Sequence, residues 1–269
     1  MSLHISIDDL AEEVSDNALI VLPPDYSNVP MAVVFALIRR RIKDLYVLFA
    51  PIGGIAGDLL VGAGCVKTLE AAAITMGEAG LAPRFSEAVQ KNAIEVKDST
   101  CPAIHAALQA SEKGVPFMPL RGLIGSDVLK YRDDWRVISN PFKQKDEPIV
   151  LLPAIQPDIA LIHAPVADRF GNVWIGKRRE LMTMSHAAKT TFVTVEKFQE
   201  ENLLEGELTA AGTLPNMYIG GIAEAKNGCW PLGLPGLYSP DYNAITEYVE
   251  AAETHSGFNK WLKSNGNRK

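Results

Sequence analysis

The chain predicts an α/β fold in which an open, doubly wound and mostly parallel sheet carries helices on both faces. Three observations lead there. Segments with a helical apolar period alternate with short apolar runs from the first twenty residues onward. At 269 residues with 47% apolar side chains, the chain is long enough to bury one sizeable core. Long apolar runs such as Ile159-Ala160-Leu161-Ile162-His163-Ala164 are those of central strands covered on both faces.

Taken in order, the first half reads as helix over 7–14, strand over 18–22, helix over 29–42 and strand over 45–49. An apolar helix around Leu59 follows, then a strand near 71–75, a helix over 83–91, a strand over 93–96 and a helix over 102–113. The second half is richer in short strands and turns. Strands are expected at 136–138, 149–152, 159–163, 172–175, 192–195 and 217–219, and helices at 179–188 and 242–254. No composition break, repeat or low-complexity tract divides the chain, so a single domain over 1–269 is expected. The polar tail 265–269 should fray.

Composition excludes several function classes. A formal charge of −6 gives no footprint for nucleic acid, and the basic run Arg39-Arg40-Arg41 reads as the solvated end of a helix, where cations suit the dipole. Cys65, Cys101 and Cys229 are odd in number and lack C-x-x-C spacing, which argues against a disulfide framework or a zinc site and points to a reducing cytoplasm. No segment approaches the ~18 uninterrupted apolar residues of a membrane span, and no signal-peptide layout opens the chain. The five histidines are scattered without metal-ligand spacing, and His163 is expected to be hydrogen-bonded locally at a strand end.

The glycines in Pro51-Ile52-Gly53-Gly54-Ile55-Ala56-Gly57 follow a strand and lead into a helix. Backbone N–H groups at such a junction can approach an oxyanion, and tight turns between packed elements are the alternative. Neither dinucleotide nor P-loop spacing is present. Pro23 to Asn28 follow the first strand, with Ser27 or Asn28 as the expected helix N-cap. No G-x-S-x-G elbow occurs. Cys101 stands where a helix should begin, with His105 one turn on, although a packing role is the commoner use of such a cysteine. Asp168-Arg169-Phe170-Gly171-Asn172 has ordinary turn chemistry. Glu78-Ala79-Gly80 and Glu95 to Thr100 place carboxylates near strand ends, where open α/β sheets bind ligands.

Five segments in order, beginning Gly53-Gly54-Ile55-Ala56-Gly57-Asp58, Gly77-Glu78-Ala79-Gly80, Gly114-Val115-Pro116-Phe117, Gln156-Pro157-Asp158-Ile159 and Leu237-Tyr238-Ser239-Pro240, resemble the α (A) subunit of the family I coenzyme A transferases, glutaconate CoA-transferase type. The resemblance implies that coenzyme A is a cosubstrate with no permanently bound cofactor, and that the partners are a B subunit together with an acyl-CoA and a small carboxylic acid. It also implies covalent transfer through a glutamate of the β subunit, because a carboxylate can carry CoA as a thioester and split the transfer in two. Gly53 and Gly54 match a donor loop for developing oxyanions. Asp98, Ser99 and Cys101 match a region facing the active site, and Arg121 is a further expected polar contact. Glu78 has the Glu-x-Gly shape of the β-subunit nucleophile and is read as its counterpart in a non-catalytic half. Two departures stand out. Pro23-Pro24 replace a glycine pair, removing a donor, and Cys101 occupies the position where some relatives carry a glutamate and hydrolyse carbon–carbon bonds of CoA thioesters. The alternatives are a two-subunit hydrolase or ring-opening enzyme and a non-catalytic subunit that binds acyl-CoA.

Overall fold

The computed structural model describes residues 3–143 and 146–266. Its centre is a seven-stranded sheet of β1 (Leu19–Leu22), β2 (Leu45–Phe49), β3 (Val66–Ala71), β4 (Glu95–Asp98), β5 (Ile159–Ala164), β6 (Thr190–Val195) and β7 (Ile219–Glu224). The order is β7-β6-β5-β1-β2-β3-β4, and every neighbouring pair is parallel. The winding runs outward from β1 through β2 to β4 on one side and from β5 to β7 on the other. Strand order therefore reverses between β1 and β5, and the crevice beyond their C-terminal ends is where such sheets take ligands.

Residues alternate between two cores, as the period of a strand requires. Ile20, Leu22, Val47 and Phe49 face a layer containing α1 (Ile7–Glu12), α2 (Met31–Arg40) and α3 (Ile55–Gly62). Val21, Leu48, Ala160 and Ile162 face α5 (Cys101–Glu112) and α6 (Arg179–Ala187) through Ile104, Leu108, Leu181 and Met184. Helix α4 (Pro83–Gln90) precedes β4, α7 (Glu207–Ala210) is a single turn, and α8 (Tyr242–Ala252) and α9 (His255–Asn265) return to the first layer, where Tyr248 and Phe258 are fully buried.

A three-stranded antiparallel sheet, with Pro148–Pro153 between Phe117–Leu120 and Arg136–Ser139, packs on the far side of α5 through Trp135, Val150 and Leu152. Its tether is Arg132. This buried guanidinium meets Glu70 of β3 at 2.7 Å, donates to the Asp98 carbonyl at 3.0 Å and forks onto Asp134 at 2.9 Å. A mixed four-stranded patch, in the order Phe198–Gln199, Val166–Asp168, Val173–Trp174, Thr213–Leu214, extends the sheet at the C-terminal ends of β5 and β6.

Several expectations shift. The strand sought near 71–75 is present only as Ala73–Ile74, paired with Ile52–Gly53; the strand of the central sheet lies upstream at Val66–Ala71, where Glu70 is buried by its pairing with Arg132 and Tyr46 rather than by hydrophobicity. The strand sought at 217–219 is Ile219–Glu224. Its two glycines weaken strand propensity, yet a Cβ at Gly221 would stand 2.6 Å from Ile5. The strand Phe117–Leu120 and helix α9 are additions that the apolar period does not announce. Ser27 and Asn28 are not caps: the helix starts at Met31 with Pro30 as N-cap, Asn28 takes a left-handed φ of 61°, and Ser27 turns to another helix. Arg39 and Arg40 are not merely solvated, for Arg39 binds Asp8 and the Gly266 carbonyl and Arg40 binds the Ala11 carbonyl. Of the tail, Asn265 ends α9, and 267–269 lie outside the described residues.

Candidate active site

Five chain segments converge beyond the C-terminal ends of the strands. After β1, Pro23 and Pro24 are buried and supply no N–H, so the next polar group is the Asp25 carboxylate. Its Oδ2 accepts the Ile55 amide of α3 at 3.1 Å, while Oδ1 is buried without a partner. Burial, only partly offset by the Ile55 bond, pushes this carboxyl up to about 6. The approach accounts for Gly54, where a Cβ would lie 2.0 Å from Asp25 Oδ2. Gly53 pairs beside Ile74 and would place a Cβ 2.6 Å from its side chain.

Tyr26 is 58% exposed and stands under the Arg178 guanidinium, 5.7 Å from the ring centroid. Partial burial, then Glu180 and Cys101, raise its phenol above the usual range, while Arg178 opposes the shift. Ser27, fully buried, donates its hydroxyl to Glu180. Arg178 lies 3.8 Å from the same Glu180 oxygen. His105, one turn along α5 from Cys101, is lowered by burial, with Glu180 acting against it, so its neutral form is favoured. A cavity of about 390 Å³ opens among these groups, bounded by Tyr26, Pro51, His105, Gln109, Arg178 and Arg179, with Glu180 and Thr183 beyond. A neighbouring cavity of about 510 Å³ shares Tyr26 and Arg178 and reaches Asp25 and Tyr238.

A second set of buried groups holds the crevice wall at β5 and β6. His163 is fully buried, with Nδ1 2.8 Å from Thr194 Oγ1 and Nε2 2.9 Å from Glu196 Oε1. Burial lowers its pKa despite Glu196, so the ring is neutral. A carboxylate can only accept, which places the proton on Nε2 and leaves Nδ1 to accept from Thr194. Burial opposes ionisation of Glu196, but donors from His163, Tyr238 and the Asn227 amide outweigh it and hold its carboxyl at about 2. His163 is hydrogen-bonded as expected, but through Thr194 and Glu196, 31 and 33 residues further along the chain, rather than through its sequence neighbours. The turn reading of Asp168 also holds: its carboxylate accepts from the amides of Phe170, Asn172 and Leu203, and Gly171 takes φ 87°.

The expected site residues divide. Asp98 ends β4 and is exposed, and Ser99 is buried with no partner for its hydroxyl. Thr100 caps α5 and Cys101 begins it, at the edge of the group formed by Tyr26 and His105. Arg121 lies apart, on the antiparallel sheet side, paired with Glu147 at 2.9 Å and lining a different, apolar cavity with Phe117 and Ile138. Glu78 is exposed on a single turn, Gly77–Ala79. Tyr26, Arg178, Arg179 and Glu180 escaped the sequence reading. Their signal was an arginine pair at the start of a helix, where cations oppose the dipole and need a reason. Among the described residues no cluster of three or more His, Cys, Asp or Glu side chains could hold a metal ion, and no helix is long and apolar enough to cross a membrane.

Comparison with known proteins fits this architecture. The chain is 29% identical to the A subunit of the 3-oxoadipate CoA-transferase of Pseudomonas knackmussii, covering 93% of this chain and 88% of that one. It is 29% identical to the A subunit of the glutaconate CoA-transferase of Acidaminococcus fermentans, over 87% and 78% of the two chains. The crystal structure of glutaconate coenzyme A-transferase from that organism superposes with a TM-score of 0.90 and 25% identity, covering 98% of this chain and 88% of that one. A cholesterol ring-cleaving hydrolase IpdA subunit of Rhodococcus jostii is 28% identical over 96% and 90%. The chain spans 52% of an uncharacterized Archaeoglobus fulgidus relative that is 29% identical over 87% of this chain. The Coenzyme A transferase family model matches residues 4–225, most of the chain, and the protein belongs to that family.

Proposed function

We propose that this chain is the A subunit of a two-subunit enzyme that moves CoA between an acyl-CoA and a carboxylic acid, with the nucleophilic glutamate on the partner. The observation that carries the reading is the near full-length likeness to two proteins named as CoA-transferase A subunits. The chain's own crevice agrees with it. Two of its carboxylates there are engaged, Glu180 by Ser27 and Arg178 and Glu196 by His163 and Tyr238, while Asp25 is held through one oxygen by the Ile55 amide. Exposed apolar side chains, among them Leu81, Phe142, Leu208 and Met217, support a partner surface.

In this reading the partner's glutamate attacks the thioester carbonyl, the carbon–sulfur bond breaks, and CoA thiolate leaves an acyl-glutamyl anhydride. The thiolate then attacks the glutamyl carbonyl, forming glutamyl-CoA and releasing the first acid; the second acid repeats the sequence in reverse. This chain would contribute the walls that orient the acyl group and exclude water, with Tyr26, Pro51, His105 and Gln109 lining the pocket and Cys101 at its edge. Coenzyme A is a cosubstrate here, and three free cysteines suit a reducing cytoplasm.

The test is CoA exchange from a labelled acyl-CoA to a panel of carboxylates, with this chain alone and with its B-type partner. Exchange that needs both chains is expected; exchange by this chain alone would move the nucleophile onto it. The likeness to the ring-cleaving hydrolase subunit favours one further reading, hydrolysis of a cyclic CoA thioester. Borohydride reduction separates the two, since only transfer leaves a reducible glutamyl thioester.

A further inference from the structure

We propose that the cavity between α5 and the start of α6 binds an anionic oxygen group of the substrate that does not itself react, with Arg178 and Arg179 as its cationic donors. The inference takes from the CoA-transfer reading only the identity of the ligand.

Charge is the first argument. Arg178 occupies the N-cap of α6 and Arg179 its first position, and no side chain caps that helix. Two cations there oppose the positive end of the helix dipole, so the arrangement costs stability unless an anion occupies the space in front of it. Glu180 offsets one of them at 3.8 Å. The exposed Arg179 makes no hydrogen bond or ion pair among the described residues. With His105 held neutral by burial, the cavity keeps a net charge of about one positive unit.

Shape and donors agree. At about 390 Å³ the cavity suits a small anionic group, and Gln109 and Thr183 add neutral polar groups to two guanidinium forks. Tyr26 and Pro51 wall off one side, and Arg178 is held in place above the Tyr26 ring. Planar guanidinium forks match carboxylate and phosphate oxygens alike. A distal carboxylate of the acyl chain and a phosphate of coenzyme A are the two sources of that chemistry.

Titration calorimetry on the assembled two-subunit protein distinguishes them, using glutarate and adenosine 3′,5′-bisphosphate as probes. Wild type is expected to bind one of the two, and Arg179→Ala to weaken that binding about tenfold or more, the scale of one charge-assisted hydrogen bond. A loss for glutarate assigns the site to a carboxylate; a loss for the bisphosphate assigns it to a phosphate. Arg179→Lys, which keeps the charge, should restore part of the affinity. Unchanged binding of both probes in Arg179→Ala, no binding of either by wild type, or a loss that lysine leaves unrepaired while the melting temperature falls would each overturn the proposal. Arginine-dependent binding without any CoA exchange would sink the transferase reading and leave the anion site standing.

Discussion

Replacing Arg132 by alanine strips the partner from a carboxylate that the fold has taken out of water. The Arg132 and Glu70 side chains are 2% and 1% exposed, and their closest atoms are 2.7 Å apart. Alanine leaves Glu70 with only the Tyr46 hydroxyl, frees the Asp98 carbonyl and Asp134, and removes the stack on Trp135 at 4.1 Å. Breaking one side of such a buried pair costs about 3–5 kcal/mol, several times an exposed pair. For a chain of this size that is a fall in melting temperature of roughly 6–20 °C. Urea unfolding followed by circular dichroism measures it. Because no fully buried charge is left unpaired when both members go, and Asp134 is partly open to water, Arg132→Met with Glu70→Leu should recover most of the loss. A single-variant loss below about 1 kcal/mol, or a double variant no better than the sum of the singles, would refute the tether. The Asp98 carbonyl that Arg132 fixes leads directly into Ser99 and Cys101, so if those residues serve the proposed site the same variant should also lower exchange by the assembled complex.

Asp25→Asn should stabilise the protein at pH 8 by about 1–3 kcal/mol and not at pH 4. The folded carboxyl, at about 6, holds its proton more tightly than the unfolded one at 3.8, so its contribution is fully present below pH 3.8 and lost as pH rises through 6; a gap independent of pH in urea midpoints would contradict this. Glu78→Gln should leave exchange by the assembled complex within about twofold of wild type, as exposed substitutions usually do, and total loss with normal folding would make Glu78 the nucleophile. In the native chain a thiol reagent should modify Cys101 first, because Cys65 and Cys229 are buried and burial pushes the Cys65 thiol up to about 11; mass spectrometry of the labelled peptide decides it.

Much of the architecture was written in apolar periodicity. The parallel, doubly wound character follows from alternation of helix and strand, and the central run at Ile159–Ala164 announces a strand buried on both faces. Periodicity fails where burial is achieved by pairing rather than by hydrophobicity, as at Glu70, or by close approach of backbone, as at Gly220 and Gly221. The cap expected at Ser27 failed for a related reason. Local chemistry offers its hydroxyl to the helix amides, but a tertiary acceptor, Glu180, is 153 residues away in sequence and takes it instead.

The site was less legible than the fold because its charges come from segments that meet only through the winding of the sheet. Tyr26 follows β1, Cys101 and His105 open α5, and Arg178 to Glu180 open α6, more than seventy residues further on. The convergence has a chemical consequence. A nucleophilic carboxylate must be free to leave its hydrogen bonds when it attacks, and Glu196, held by His163, Tyr238 and the amides of Asn227 and Gly228, gains too much from staying where it is. Glu180 is bound to Ser27 and balanced by Arg178, and Glu78 and Asp98 face solvent outside the cavity lining. What the crevice does offer is a cationic, partly closed pocket with one uncommitted arginine. In the proposed transfer such a surface would hold an anion and orient it, and the covalent step would fall to a carboxylate brought by the partner.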